Sequence, residues 1–204
     1  MKKLFCAVML LLMGIVGSVS FAKENKTLYV GTNAEFQPFE YLENGKIVGF
    51  DVELMEEIAK LIGKDIEWKN IAFDGLLPAL QAKKLDVIIA GMTATEERKK
   101  FVNFSQTYYT SNQMILINKE NPVVESFDKL AGYSVGVILG YTGDIAVSAI
   151  EGVKVQRYNG AAEAIMALKA KKVDAVVLDS EPAKNYAKQN KELGLINTDV
   201  AKEE

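Results

Sequence analysis

The pattern of apolar and polar positions alternates between short strands and amphipathic helices along most of the chain. Short apolar or alternating runs predict strands at residues 28–30, 66–71, 86–90, 133–138, 153–156 and 174–178. Apolar residues at three- and four-residue steps predict a helix that Asp51 caps and Gly63 ends. Further helices are predicted from Leu76 onward and at residues 142–150 and 161–170. This alternation predicts an α/β fold, a mostly parallel sheet with helices on both faces.

An internal repeat indicates two similar units. Residues 79–90 (ALQAKKLDVIIA) match residues 167–178 (ALKAKKVDAVVL) at an offset of 88, with six of twelve positions identical. Chance similarity between two helix–turn–strand units is the alternative, which the shared Lys-Lys-x-Asp makes the weaker one. The offset is too long for a solenoid and fits two α/β lobes. Because ligands bind beyond the carboxyl ends of strands in such sheets, the residues after the two matched strands are the candidate site.

Opposite charges follow the two matched strands. In residues 91–98 (GMTATEER), Gly91 allows close approach of the backbone, while the amides around Thr93 and the guanidinium of Arg98 suit a carboxylate. Asp179 stands at the repeat-equivalent position of Gly91 and suits an ammonium group. Each residue also has a simpler interpretation. Arg98 is followed by two lysines and could lie on a solvated helix face, and Asp179 could cap the next helix. Together they predict a cleft for a zwitterion.

Aromatic residues near strand exits supply candidate walls for this cleft. Phe36 and Phe73 are placed to enclose a ligand side chain, although the same rings would also suit the core of a lobe. Thr142 opens a helix of the second unit and offers a hydroxyl. Residues 114–117 form an apolar strand after the first unit, which we interpret as a hinge strand.

Composition and charge narrow the chemistry. The chain has 204 residues, of which 49% are hydrophobic and 25% charged, values typical of a globular protein. It contains no histidine and a single cysteine, Cys6, so a histidine-dependent triad and a Cys/His zinc site are excluded. The net charge of −3 argues against a nucleic-acid partner. No cofactor or metal is implied.

The N-terminus predicts export. Lys2 and Lys3 precede an apolar run over residues 4–16, and residues 20–22 (SFA) resemble a signal-peptidase site. The alternative, a membrane anchor, is disfavoured because the apolar run is short of the roughly 20 residues that span a bilayer. We expect a signal peptide at residues 1–22, cleaved after Ala22, and a periplasmic protein.

Several segments together resemble a known family, the periplasmic substrate-binding proteins of polar amino-acid ABC transporters, of the extracellular solute-binding type called family 3. The resembling segments cover most of residues 27–200: residues 31–41 (GTNAEFQPFEY), 48–52 (VGFDV), 73–80 (FDGLLPAL), 91–98 (GMTATEER), 104–109 (FSQTYY) and 135–137 (VGV). The resemblance implies two Rossmann-like lobes that close on a ligand about a hinge, with lobe 1 at residues 23–109 and the hinge strand and lobe 2 at residues 110–204.

The resemblance also implies roles for single residues. Arg98 and the backbone of Thr93, next to Gly91, would bind the α-carboxylate of an amino acid, and Asp179 its α-amino group. Phe36 and Phe73 would pack on the ligand side chain, and Thr142 would contribute from the second lobe. Asn33 stands where some members carry an acid that recognises basic side chains. The amide leaves arginine, lysine, histidine, glutamine and cystine open, with a weak preference for basic amino acids from residues 31–41.

One departure from the family concerns the C-terminus. Members continue past residues 202–204 with a further strand, a second hinge crossing and a helix that returns to the first lobe. A natural short form, a frameshifted gene and a fragment all remain open, and we expect weaker stability and closure if nothing replaces the return segment.

The expected partners are a free amino acid and a membrane permease of an ABC transporter, bound by a monomer. A free-standing amino-acid sensor is an alternative, because both roles use the closed cleft as the signal. Cyclohexadienyl dehydratases have a similar architecture and are a further alternative, with Glu40 as a conceivable acid. Because no paired catalytic group accompanies Glu40, we expect a binding protein and not an enzyme.

Overall fold

A computed structural model describes residues 26–203, so the predicted signal peptide lies outside the described residues. The part of the chain before residue 110, which we call the first lobe, contains β1 (Thr27–Thr32), β2 (Glu35–Phe36), β3 (Glu40–Glu43), β4 (Lys46–Val48), α1 (Phe50–Leu61), β5 (Asp65–Asn70), α2 (Phe73–Gln81), β6 (Val87–Ile88) and α3 (Glu96–Lys99). Its parallel sheet has the strand order β5-β1-β6. The strands β2, β3 and β4 form a separate small antiparallel sheet.

The part of the chain from residue 110 onward, which we call the second lobe, contains β7 (Thr110–Asn118), a 3₁₀ turn (Phe127–Lys129), β8 (Ser134–Ile138), α4 (Thr142–Ser148), β9 (Lys154–Tyr158), α5 (Ala161–Lys169), β10 (Ala175–Asp179), α6 (Ser180–Gln189) and β11 (Leu193–Glu203). Its five-stranded sheet has the strand order β11-β7-β10-β8-β9. Strands β9, β8 and β10 run parallel, while β7 is antiparallel to both of its neighbours, β10 and β11. The predicted α/β architecture of two similar lobes is confirmed.

The apolar core explains how the two lobes sit together. One cluster lies within the second lobe around Ile115, Val135 and Val177. A larger cluster crosses between the lobes and joins Phe36 and Phe73 of the first to residues of the second. Burial of this apolar surface holds the lobes against each other. Among the described residues, no helix has the length and apolar character needed to cross a membrane.

Several predicted boundaries differ from the observed ones. Asp51 does not cap α1: the N-cap is Gly49, and Asp51 is a fully buried residue of the first helical turn. The predicted strand at residues 86–90 is paired only at Val87–Ile88. The small sheet β2–β4 and the long strand β11 were not predicted. The strands β3 and β4 form a local hairpin through a turn at Asn44 and Gly45, whereas β11 pairs with β7, which is distant in the chain.

The repeat seen in the sequence has the same backbone geometry in both lobes. The carboxylate of Asp86 accepts a hydrogen bond from Tyr29 N, and that of Asp174 accepts one from Ser134 N, at 2.9 and 2.8 Å. In each case the acid after the helix holds the neighbouring strand of the sheet. Lys83 and Lys171, also 88 positions apart, both adopt left-handed backbone angles, with φ of 56° and 57°.

Glycine at these two lysine positions is expected to stabilise the protein. The left-handed conformation costs a non-glycine residue roughly 1–2 kcal/mol, a cost that glycine avoids. Part of this gain is offset because glycine loses more conformational entropy when the chain folds. Lys83→Gly should raise the free energy of unfolding in urea by about 0.5–1 kcal/mol. Lys171→Gly should gain slightly less, because Lys171 also pairs with Glu120 at the surface. Lys84→Gly is the control, and an equal gain there would contradict the explanation.

Candidate functional site

Arg98 is a buried cation at the boundary between the lobes. It lies in the short helix α3, whose N-cap Thr95 accepts a hydrogen bond from Arg98 N. Its side chain is only 8% exposed. The guanidinium donates from Nη1 to the carbonyl of Thr93 at 2.8 Å and from Nη2 to the carbonyl of Gly140 at 2.7 Å. The guanidinium carbon also lies 5.3 Å from the centre of the Phe73 ring. Arg98 is therefore buried between the lobes and does not lie on a solvated helix face.

Asp179 is the buried anion of the second lobe. It is the last residue of β10 and is 1% exposed. It precedes α6 at the N-cap position, yet its side chain makes no capping hydrogen bond. Burial lowers the pKa of Arg98, and the charge of Asp179 opposes this shift, so the two groups act on each other electrostatically. A buried cation and a buried anion thus face one region from the two lobes.

Gln113 joins Asp179 to Thr142. It lies opposite Asp179 in the β7–β10 ladder, and its amide nitrogen donates to the carboxylate of Asp179 and, at 3.3 Å, to the hydroxyl of Thr142. Gln113 is 1% exposed, and its amide oxygen is buried with no hydrogen-bond partner among the described residues. The sequence analysis missed this residue, because only the register of β7 against β10 brings it beside Asp179.

The predicted aromatic residues meet around a third ring that was not predicted as a site residue. Tyr141 of the second lobe lies 4.4 Å from Phe73 and 6.0 Å from Phe36 between ring centres. Its hydroxyl donates to the side-chain oxygen of Asn33 at 2.9 Å. The Asn33 amide nitrogen in turn donates to the carbonyl of Ile71 at 3.2 Å. Asn33, Phe36 and Phe73 are therefore brought together by a ring from the opposite lobe.

Gly91 allows the close packing of this region. Its φ is 51°, in the left-handed range, and an added Cβ would lie 2.8 Å from the ring of Phe36. The turn that follows brings Thr93 to Arg98, and the hydroxyl of Thr93 is buried with no hydrogen-bond partner among the described residues. All eight predicted site residues thus lie in one connected region between the lobes.

A further contact between the lobes involves Glu35. Its carboxylate accepts a hydrogen bond from Ala162 N at 3.2 Å, at the N-terminus of α5. Gly160, the N-cap of that helix, has no side-chain cap of its own, and a Cβ there would overlap the Glu35 carboxylate. The first lobe therefore supplies the cap for a helix of the second, in a favourable position for a negative charge.

A pair of buried acids lies in the first lobe. Glu40 and Asp51 are both fully buried. Tyr108 Oη donates to Asp51 Oδ2 at 2.9 Å. Burial raises the pKa of Asp51, and Tyr108, Glu40 and the backbone of Gly91 partly oppose this shift. The folded protein therefore holds a proton on Asp51 more tightly than the unfolded chain does.

The pair is expected to make stability fall as pH rises. A raised folded-state pKa means that the contribution of Asp51 is fully present below its ordinary pKa of 3.8 and is lost as pH rises through the folded value. Asp51→Asn should therefore flatten the decline of unfolding free energy with pH and leave the variant more stable than the wild type at neutral pH. Urea unfolding across the acid-to-neutral range measures this, with the exposed Asp65→Asn as control. An unchanged slope in Asp51→Asn would contradict a raised pKa of Asp51 as the cause.

Among residues 26–203, no three or more His, Cys, Asp and Glu side chains cluster in a way that could hold a metal ion. The chemistry of the site consists of one cation, one anion, amide and hydroxyl groups, and aromatic walls. Such a set is suited to holding a small zwitterion.

Comparison with known proteins places the chain in a family. The family model of the bacterial extracellular solute-binding proteins, family 3, matches residues 28–135. A protein named "probable histidine-binding protein" from Campylobacter jejuni is 40% identical over 172 residues, which are 84% of this chain and 67% of the relative. The arginine-binding extracellular protein ArtP of Bacillus subtilis is 39% identical over 183 residues, which are 88% of this chain and 71% of ArtP.

The fold has a counterpart among solved structures. The arginine-bound form of truncated ArgBP from T. maritima superposes with a TM-score of 0.84 and 43% sequence identity. The superposition covers 88% of this chain and 86% of that one.

Proposed function

The chain belongs to the bacterial extracellular solute-binding proteins of family 3, and on that premise we propose that it binds a polar L-amino acid between its lobes and delivers it to an ABC importer. The observation that carries the proposal is the pair of buried opposite charges, Arg98 on the first lobe and Asp179 on the second. An amino acid presents a carboxylate and an ammonium group a short distance apart. Each would neutralise one of these charges, which is why a zwitterion suits the site better than a simple anion or cation.

Each predicted site residue can be given a role in binding an amino acid. Arg98 donates two of its N–H groups to protein carbonyls, which leaves further N–H groups on the same guanidinium for a ligand carboxylate. The buried hydroxyl of Thr93, close to Arg98, is a second group for that carboxylate. On the other lobe, Thr142 and Asp179 would receive the ammonium group. Phe36 and Phe73 would pack on the side chain.

The class of amino acid follows from the relatives. The compared proteins are named for histidine and arginine, and we propose a basic amino acid for this chain. Binding would proceed by hinge closure: a ligand that contacts both lobes stabilises the closed state through contacts that the open state lacks. We also propose residues 1–22 as the signal peptide, a lobe boundary near residues 109–110, and a membrane permease that recognises the closed form.

A thermal-shift panel of the purified protein against the common L-amino acids and cystine tests the function. A ligand that binds only the folded state at a hundredfold excess over its dissociation constant adds about 2.7 kcal/mol to stability, which raises the melting temperature. We expect arginine, lysine or histidine to produce this rise, and D-amino acids to produce little. A cooperative melt that no amino acid shifts would contradict the proposal.

A further inference from the structure

We propose that Tyr141 is an internal substitute for the ligand side chain, and that it selects ligands whose side chain has a flat or aliphatic stem ending in an N–H donor. This inference rests on the proposed function and goes beyond it. The residues proposed to enclose a ligand side chain, Phe36 and Phe73, both pack against the ring of Tyr141. Tyr141 is 7% exposed and comes from the opposite lobe, so a ligand side chain can enter that space only if the ring moves out.

The contacts of Tyr141 define what can replace it. Tyr141 packs edge-to-face on Phe36 and Phe73, with interplanar angles of 68° and 63°. The space that its ring fills, which we call the slot, is therefore contacted by two aromatic rings. At its end the phenol donates a hydrogen bond to Asn33. The amide nitrogen of Asn33 points the other way and donates to the carbonyl of Ile71. The Asn33 atom at the end of the slot is therefore its side-chain oxygen, which can only accept hydrogen bonds.

The charges around the slot favour a cationic donor. Burial raises the pKa of Tyr141 well above its ordinary value, and the negative charges of Glu40, Asp179 and Glu35 raise it further. The same field that disfavours a phenolate attracts a positive group. A guanidinium, ammonium or protonated imidazole would combine the stem, the N–H donor and the charge. Aspartate and glutamate side chains would be disfavoured, because a carboxylate cannot donate a hydrogen bond to the oxygen of Asn33 and is repelled by the surrounding negative charges.

The substitute has a cost for binding. When the ring occupies the slot, the site is not competent, and the apparent dissociation constant is raised in proportion to the fraction of molecules in that state. A smaller residue at position 141 removes the competitor and leaves Phe36, Phe73 and Asn33 in place.

Titration calorimetry with L-arginine on the wild type, Tyr141→Ala, Tyr141→Phe and Tyr133→Phe tests the inference. We expect Tyr141→Ala to bind arginine about tenfold tighter than the wild type. Tyr141→Phe should bind moderately tighter, because the ring remains but its hydrogen bond to Asn33 is lost. Tyr133→Phe should match the wild type, because Tyr133 packs against the separate apolar cluster within the second lobe.

A spectroscopic measurement distinguishes displacement from a purely structural role. Arginine has no near-ultraviolet chromophore, so we expect arginine to give a tyrosine difference spectrum in the wild type that is largely absent in Tyr141→Phe. If the wild type binds arginine and Tyr141→Ala binds it more weakly, Tyr141 is a ligand contact, and the inference is wrong while the function stands. If the wild type shows no binding and Tyr141→Ala binds, the inference is supported. If neither binds any amino acid, the function itself fails.

Discussion

Replacing Arg98 by methionine is expected to reduce amino-acid affinity by about 100-fold or more, the largest effect we expect from any single substitution. Methionine keeps much of the volume and removes the charge and its N–H donors. Removing one partner of a buried, hydrogen-bonded charge pair costs about 2–5 kcal/mol, part of which is the penalty of leaving the other charge unpaired. Here the unpaired charge would be the ligand carboxylate.

The variant Arg98→Lys refines this experiment. It retains the positive charge but not the planar fork that binds a carboxylate through two hydrogen bonds, so its affinity should lie between those of the wild type and Arg98→Met. Lys99→Met is the matched control, because Lys99 is half-exposed and pairs with Glu96 at the surface. Titration calorimetry that finds Arg98→Met within threefold of the wild type would remove Arg98 from the binding site.

Asp179→Asn should weaken amino-acid binding by about 100-fold while changing the stability of the protein little. The asparagine side chain has the same shape and can still accept the hydrogen bond from Gln113, so the substitution removes mainly a charge. The loss should fall on the ligand, whose ammonium group would have no anion in a buried site. Affinity from calorimetry and unfolding free energy from urea titration should therefore respond differently.

The internal repeat provides a matched control for this variant. Asp174 lies five residues earlier, and its carboxylate holds the neighbouring strand through Ser134 N. Asp174→Asn removes the same charge away from the site. We expect unchanged affinity and little change in stability, because asparagine can still accept the hydrogen bond from Ser134 N. If the two variants have the same effect on binding, the role of Asp179 is structural.

The sequence predicted the helices and strands of the fold where local periodicity was strong. The helix around Leu54 and Ile58 and the strand at 134–138 repeat their apolar residues with a clear period. The strand β11 lacks such a signal, because its partner β7 is distant in the chain. The β3–β4 hairpin has a different local signal, the turn residues Asn44 and Gly45, which the pattern of apolar residues does not reveal. Asp51 was assigned as a cap from residue type alone, although burial beside Glu40 determines its place.

The candidate site was predicted in part for a similar reason. The positions of Arg98 and Asp179 follow from the repeat and from the rule that ligands bind at strand ends. Gln113, Tyr141 and Glu35 were missed because their roles depend on strand register or on the packing of one lobe against the other. No local pattern distinguishes a tyrosine that crosses to the opposite lobe from one that lines its own core.

The cap that Glu35 supplies to α5 has a consequence for how long a ligand stays bound. Opening the lobes breaks this contact and leaves the amides at the start of α5 without the carboxylate, whether or not a ligand contacts Glu35 itself. This free-energy cost raises the barrier to ligand release and leaves the association rate unchanged, so it lengthens the residence time of the ligand. A stronger cap therefore retains the amino acid longer while the protein diffuses, and a weaker cap allows faster release at the membrane.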